Sequence, residues 1–189
     1  NKESGITGLI KEAKKDLEAL QTAKFDAIMF GNENDRPYQL NVDTASTAAA
    51  AYIIGELKRD IKIPFGVDML WDPMATIALG TATKANFVRE IFTGTYSSDM
   101  GIWAPNAGEA LRYKQNLGSD EMLLLFNISA EFAYSQDRRP LTDRARSVVF
   151  SSLPDAILVS GQITGEAASM NDLMSVKKAL PHTPVLANT

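Results

Sequence analysis

Cysteine is absent from the 189 residues and histidine occurs once. The first absence removes disulfides, thiolate zinc sites, iron–sulfur clusters and a cysteine nucleophile together, and it fits a reducing compartment. A cytoplasmic location is the expectation. With one imidazole, no Ser-His or multi-histidine metal arrangement can be built. No apolar run approaches the roughly 20 residues that a membrane-spanning helix needs. The stretch 1–20 is a charged amphipathic helix pattern with no signal-peptide core. Positive charge is also in short supply: 19 Lys and Arg against 23 Asp and Glu give a formal net charge of -4. The positives are scattered, so nucleic acid is not an expected partner.

What is present is an alternation of short β-rich runs with helical patterns, the signature of βα units and a parallel sheet. Six strands are expected, at 25–30, 64–70, 86–92, 122–128, 156–160 and 184–187. Several are apolar on both faces, as strands between a barrel interior and an outer helix ring should be. Helices are expected at 47–60, 74–83, 107–117, 142–151 and 171–180. Length and composition fit a single domain over 1–189.

The segments after the strands are polar and glycine-bearing: Gly31-Asn32-Glu33-Asn34-Asp35, Trp71-Asp72-Pro73, Thr93-Gly94-Thr95-Tyr96 and Gly161-Gln162-Ile163-Thr164-Gly165. In a barrel, sites sit at the carboxyl ends of the strands. A closed eight-unit barrel typically takes about 250 residues, so the chain is short by about two units. A flavodoxin-like sheet fits the length better, but no Gly-rich phosphate fingerprint follows an early strand. Periodicity leaves both folds open.

The tie is broken by Phe25-Asp26-Ala27-Ile28-Met29-Phe30 with Asn32-Glu33, by Ile63-Pro64-Phe65-Gly66-Val67-Asp68-Met69-Leu70-Trp71-Asp72-Pro73, and by Phe87-Val88-Arg89-Glu90-Ile91-Phe92-Thr93-Gly94. Together with Asp99-Met100-Gly101-Ile102-Trp103, Leu158-Val159-Ser160-Gly161 and Val185-Leu186-Ala187-Asn188-Thr189, these resemble the BtpA/SgcQ family, most closely its SgcQ branch. The resemblance implies an α/β fold of the TIM (β/α)8-barrel type. It makes the six strands the second to the seventh, with the first strand and the last βα unit lacking a counterpart. Asn188-Thr189 is where such a protein continues toward the loops that often form a phosphate cup. Relatives usually carry asparagine at the position of Asp68. The family's associations, photosystem I biogenesis and a sugar-related gene cluster, imply a fold more firmly than an activity.

His182, in Leu180-Pro181-His182-Thr183-Pro184, falls on the connection into the last strand, at the face opposite the expected site. Lys24, Lys62 and Lys84 precede strands, and Lys58, Lys114, Lys177 and Lys178 fall on helices, so no Schiff-base lysine points into the barrel. The strand ends leave carboxylates and amides. Glu33, Asp68 and Glu90 are the candidate catalytic groups. Asn32, Arg89, Asn127, Ser160, Asn188 and Trp71 are the candidate substrate contacts, with Glu131 nearby. Such groups bind sugar hydroxyls, hold a hard divalent cation such as Mg²⁺, or act as acid and base once burial shifts their pKa. Asp72 before Pro73 reads equally as a helix cap, and Arg89–Glu90 as a structural pair. Trp71 and Trp103 either stack on a ligand or close the core. The long loop 93–106 is a candidate lid.

Glu33, Asp68, Glu90 and Asn127 are expected to converge. At least one of the carboxylates should then have a raised pKa, bind a cation or pair with Arg89. Two functions remain in play. One is an enzyme of carbohydrate or nucleoside metabolism acting on a small polar, sugar-like substrate, phosphorylated or not. The other is a non-catalytic assembly factor working through protein partners. Exposed barrel edges leave a homo-oligomer open.

Overall fold

The computed structural model describes residues 5–163 and 165–188. Positions 1–4 of the expected amino-terminal helix, Thr164 and Thr189 lie outside the described residues. In chain order the first half comprises α1 (Gly5–Thr22), β1 (Ile28–Gly31), α2 (Thr44–Leu57), β2 (Phe65–Asp68), α3 (Pro73–Thr83), β3 (Phe87–Glu90), β4 (Tyr96–Ser98) and β5 (Gly101–Trp103). The second half comprises α4 (Ala107–Asn116), β6 (Leu123–Asn127), β7 (Ala133–Ser135), α5 (Leu141–Ser152), β8 (Ala156–Ser160), α6 (Met170–Ala179) and β9 (Val185–Asn188).

Six strands form one parallel sheet in the sequential order β1-β2-β3-β6-β8-β9. A doubly wound sheet reverses its order, so this arrangement excludes that alternative. The sheet is also curled. In a flat sheet β3 and β9, three strands apart, would lie about 14 Å from each other, yet Arg89 on β3 donates from Nη1 to Asn188 Oδ1 on β9 at 2.9 Å. The fold is an α/β half-barrel. Among the described residues its edges, β1 and β9, are not paired with each other.

The period-2 alternation of the strands sets what each face meets. Phe65, Val67, Val88, Leu124, Phe126, Ile157 and Val159 point outward and are buried against the helices. On the inner face, the strand ends carry Asp68, Arg89, Asn127, Ser160 and Asn188, one polar residue from each of β2, β3, β6, β8 and β9. Below them the lining is not fully closed: Met29, Leu123 and Leu186 are 37%, 49% and 41% exposed. Burial on both faces, expected from the apolar runs, therefore holds for β8 but not for every strand.

Helix starts follow their capping residues. Asp43 accepts from Ser46 N–H and begins α2 three residues before the expected 47. Asp72 Oδ1 accepts from Met74 and Ala75 N–H with Pro73 at the first helical position, so the helix-cap reading of Asp72 is the one realised. The first strand begins at Ile28 and not at 25, because α1 ends through Lys24 at φ 59 and pairing starts at Ile28↔Phe65.

The loop 93–106 is an ordered hairpin. Its strands β4 and β5 pair antiparallel, and β7 joins them as a second, three-stranded sheet. Tyr96 and Trp103 anchor it in a small apolar cluster with Leu70, Trp71 and Ile91. The helix ring packs α1 on α2, α2 on α3, α3 on α4 and α5 on α6. Among the described residues α4 and α5 lack comparable packing. None of the described helices is long and apolar enough to cross a membrane.

Candidate functional site

The polar strand ends are wired into one chain of hydrogen bonds. Arg89 forms an ion pair with Asp68 through Nε and Nη2, both on Oδ2. The remaining terminal nitrogen, Nη1, reaches Asn188, whose Nδ2 donates to Ser160 Oγ at 2.8 Å and to Glu131 Oε1 at 3.2 Å. Ser160 Oγ in turn donates to Asn127 Oδ1 at 3.0 Å. That bond takes an acceptor of Asn127, so its amide nitrogen is what it can offer a ligand as donor.

Of the carboxylates expected to offset one another, Asp68 is the one that pairs with Arg89, and the Arg89–Glu90 structural pair is not formed among the described residues. Adjacent residues on a strand point to opposite faces, whereas Asp68 shares the inward face with Arg89. Glu90 accepts from the backbone N–H groups of Trp71 at 2.9 Å and Ile91 at 2.6 Å. Complete burial, reinforced by the charge of Asp68, pushes Glu90 well above the usual carboxylate range.

Above this network opens a cleft lined by Glu33, Arg89, Glu90, Asn127 and Glu131 together with Tyr38, Trp71 and Phe132. Glu33, Glu90 and Asn127 thus come together at one end of the sheet. Asp68 stands behind Arg89 and does not line the cleft. Asn32 is also set back: its Oδ1 accepts from Leu70 N–H at 2.8 Å, and it lines a neighbouring cavity with Asp35 and Arg36. Ser160 and Asn188 support the floor. His182 sits on the exposed turn before β9, at the opposite end of the strand.

Glu33 is exposed as a residue, but its carboxyl is partly desolvated at the cleft mouth. Burial raises its pKa, Arg89 lowers it, and Asp68 and Glu131 raise it further. The facing wall is aromatic. Tyr38 packs edge-on to Trp71 at 6.2 Å and lies 6.4 Å from Phe132, and its hydroxyl donates to Glu33 O at 3.1 Å.

Trp71 and Phe132 hold left-handed backbone conformations, at φ 71 and 55. Lys84 and Leu153, also left-handed, are C-caps of α3 and α5, a routine place for that conformation. The two aromatics end no helix, and such backbone costs of order 1–3 kcal/mol where the surroundings impose it. The buried Trp71 Nε1 has no hydrogen-bond partner among the described residues.

Among the described residues no group of three or more His, Asp or Glu side chains is disposed to hold a metal ion. The positive charge that offsets Asp68 is Arg89. Phe132 is the aromatic cleft residue that the sequence reading did not place at the rim. Glu131 was visible as a strand-end carboxylate. Phe132 carried no signal, because its place in the wall depends on a backbone turn that periodicity does not encode.

The BtpA family model matches residues 2–189. The chain belongs to the BtpA family. It is 47% identical over 98% of its length to the sgc region protein SgcQ of Escherichia coli (strain K12), spanning 69% of that relative. It is 32% identical to an uncharacterized protein of Archaeoglobus fulgidus over 97% of the chain and 74% of the relative. To the photosystem I biogenesis protein BtpA of Synechocystis it is 30% identical over 95% of the chain, spanning 63% of that protein.

Proposed function

We propose that the strand-end cleft binds a small polar ligand of sugar or nucleoside type and, in the full-length protein, is where that ligand is transformed. One observation carries this reading: carboxylates at Glu33 and Glu131 oppose an aromatic wall at Tyr38, Trp71 and Phe132. Carboxylates accept hydroxyl hydrogens, and aromatic faces pack on the apolar face of a ring. Arg89 is the lining cation, and its charge is matched by Asp68. The cleft therefore favours the polyhydroxyl part of a ligand over a phosphate. Glu33 is the acid–base group, because partial desolvation brings its proton affinity closer to neutral pH. Asp68 positions Arg89, and Glu90 holds the Trp71 backbone.

In this reading the six strands are the second to seventh of an eight-stranded barrel, and the exposed Met29, Leu123 and Leu186 face the volume that two further strands would fill. The test is competition binding of sugars, nucleosides and their phosphates to full-length protein, with Glu33→Gln and Asn127→Ala as probes. Loss of affinity of tenfold or more in either variant supports the cleft. Unchanged binding of every ligand in both removes it.

A second reading, a non-catalytic assembly factor, draws on the name of the Synechocystis relative. It is favoured by Ile102 and Tyr134, 77% and 72% exposed, which flank Ser97 on one face of the β5-β4-β7 sheet. Partner binding that survives Glu33→Gln but fails in Ile102→Asp would support it.

A further inference from the structure

The ligand cleft leaves a second cavity unused. It lies between α5 and the β4–β7 sheet, beside the break in the helix ring between α4 and α5. Its polar lining is Thr93, Tyr96, Ser135, Ser147, Arg139 and Arg144, with Asp137 beside the two arginines.

Arg139 and Asp137 neutralise each other. Arg139 Nε lies 3.0 Å from both carboxylate oxygens, Nη2 lies 2.6 Å from Oδ2, and the Arg139 backbone N–H donates to Oδ1 at 3.0 Å. Arg144 has only neutral acceptors. Its Nη1 donates to Ser135 Oγ at 3.1 Å and more weakly to Ile128 O at 3.4 Å. Its Nε is buried with no hydrogen-bond partner among the described residues. A buried donor without an acceptor is costly, and a ligand oxygen would relieve it. A guanidinium also presents its donors as a fixed fork that matches phosphate oxygens. Burial pushes the Tyr96 hydroxyl up to about 12, so it stays protonated and able to donate at neutral pH.

We propose that this cavity binds a phosphate group, as the free ion or as a monoester, with Arg144 as its cation and a hydroxyl-bearing wall around it. The site is separate from the strand-end cleft and does not depend on what that cleft binds. It also places a phosphate at the one of these two cavities whose arginine is not charge-matched.

The test is isothermal titration of the full-length protein with inorganic phosphate and, separately, with glycerol 3-phosphate. The parent should bind at least one probe saturably, and Arg144→Met should weaken that binding at least tenfold. Ser147→Glu, which adds a negative charge to the wall while leaving Arg144 in place, should weaken it comparably and decides the matter if Arg144→Met fails to fold. Lys11→Met, which removes an exposed charge on α1, controls for net charge and should bind as the parent does. Tenfold tighter binding of glycerol 3-phosphate assigns the site to esters, and equal or tighter binding of inorganic phosphate assigns it to the free ion. Saturable binding of neither probe, or parental affinity in both Arg144→Met and Ser147→Glu, overturns the proposal.

Discussion

Arg89 and Arg144 each bring a guanidinium to a cavity, one from strand β3 and the other from helix α5. Arg89 meets a fully buried carboxylate from the neighbouring strand and an amide from across the curled sheet. Arg144 meets a hydroxyl and a backbone carbonyl, and one of its nitrogens meets nothing. The same side chain thus plays two roles. Where its charge is matched, it fixes the floor of the cleft lined by Glu33, Glu131 and the aromatic wall. Where its charge is unmatched, it is itself available to a ligand. The two places are linked by packed aromatics, with Tyr96 stacked on Trp103 at 4.7 Å and Trp103 edge-on to Trp71 at 5.5 Å.

The contrast is broken most directly at Arg89. Arg89→Met leaves Asp68 buried without its counter-charge, and removing one partner of such a pair costs about 3–5 kcal/mol. Chemical denaturation should show a loss of that size, and a loss below about 1 kcal/mol would mean that the pair does not hold the floor.

Arg144→Met should cost far less, about 1 kcal/mol or below, because it gives up bonds to neutral acceptors while removing an unsatisfied donor. A loss as large as that of Arg89→Met would make Arg144 a structural residue and erase the distinction between the two cavities.

The smallest effect is expected at Glu90. Its carboxyl is raised above the ordinary value of 4.5 by burial first and by Asp68 next. The native state therefore holds this proton more tightly than the unfolded chain does. The resulting stability is fully present below about pH 4.5 and is lost as pH rises through the folded-state value. Glu90→Gln should be near neutral in stability at pH 5 and should flatten the fall in stability as pH increases. An unchanged pH profile would place the proton elsewhere.

Much of this arrangement is legible in the sequence, in a repeated pattern at strand ends. Gly66-Val67-Asp68, Phe87-Val88-Arg89, Leu125-Phe126-Asn127, Leu158-Val159-Ser160 and Leu186-Ala187-Asn188 each place a polar residue two positions after an inward-facing apolar residue or glycine. In sequential parallel strands that spacing brings the five polar groups to one end of the sheet.

Three things were not legible. The hairpin of β4 and β5 has three-residue strands in which Ser97 and Ser98 read as loop, and it is held by Tyr96 and Trp103, residues whose contacts are distant in sequence. The partner of Arg89 depended on strand register, which adjacency in the chain does not reveal. Arg144, between Asp143 and Ala145 on α5, was not singled out from the sequence. Its partial enclosure comes from a sheet that the sequence reading did not contain.

The account rests on the strand-end cleft being where a ligand sits. Its most direct test is a crystal structure of the full-length protein with the tightest-binding sugar or nucleoside from the competition series. The ligand ring should lie against Tyr38, Trp71 or Phe132, with its hydroxyls within hydrogen-bond distance of Glu33, Asn127 or Glu131. A ligand bound elsewhere, with this cleft empty, would contradict the account.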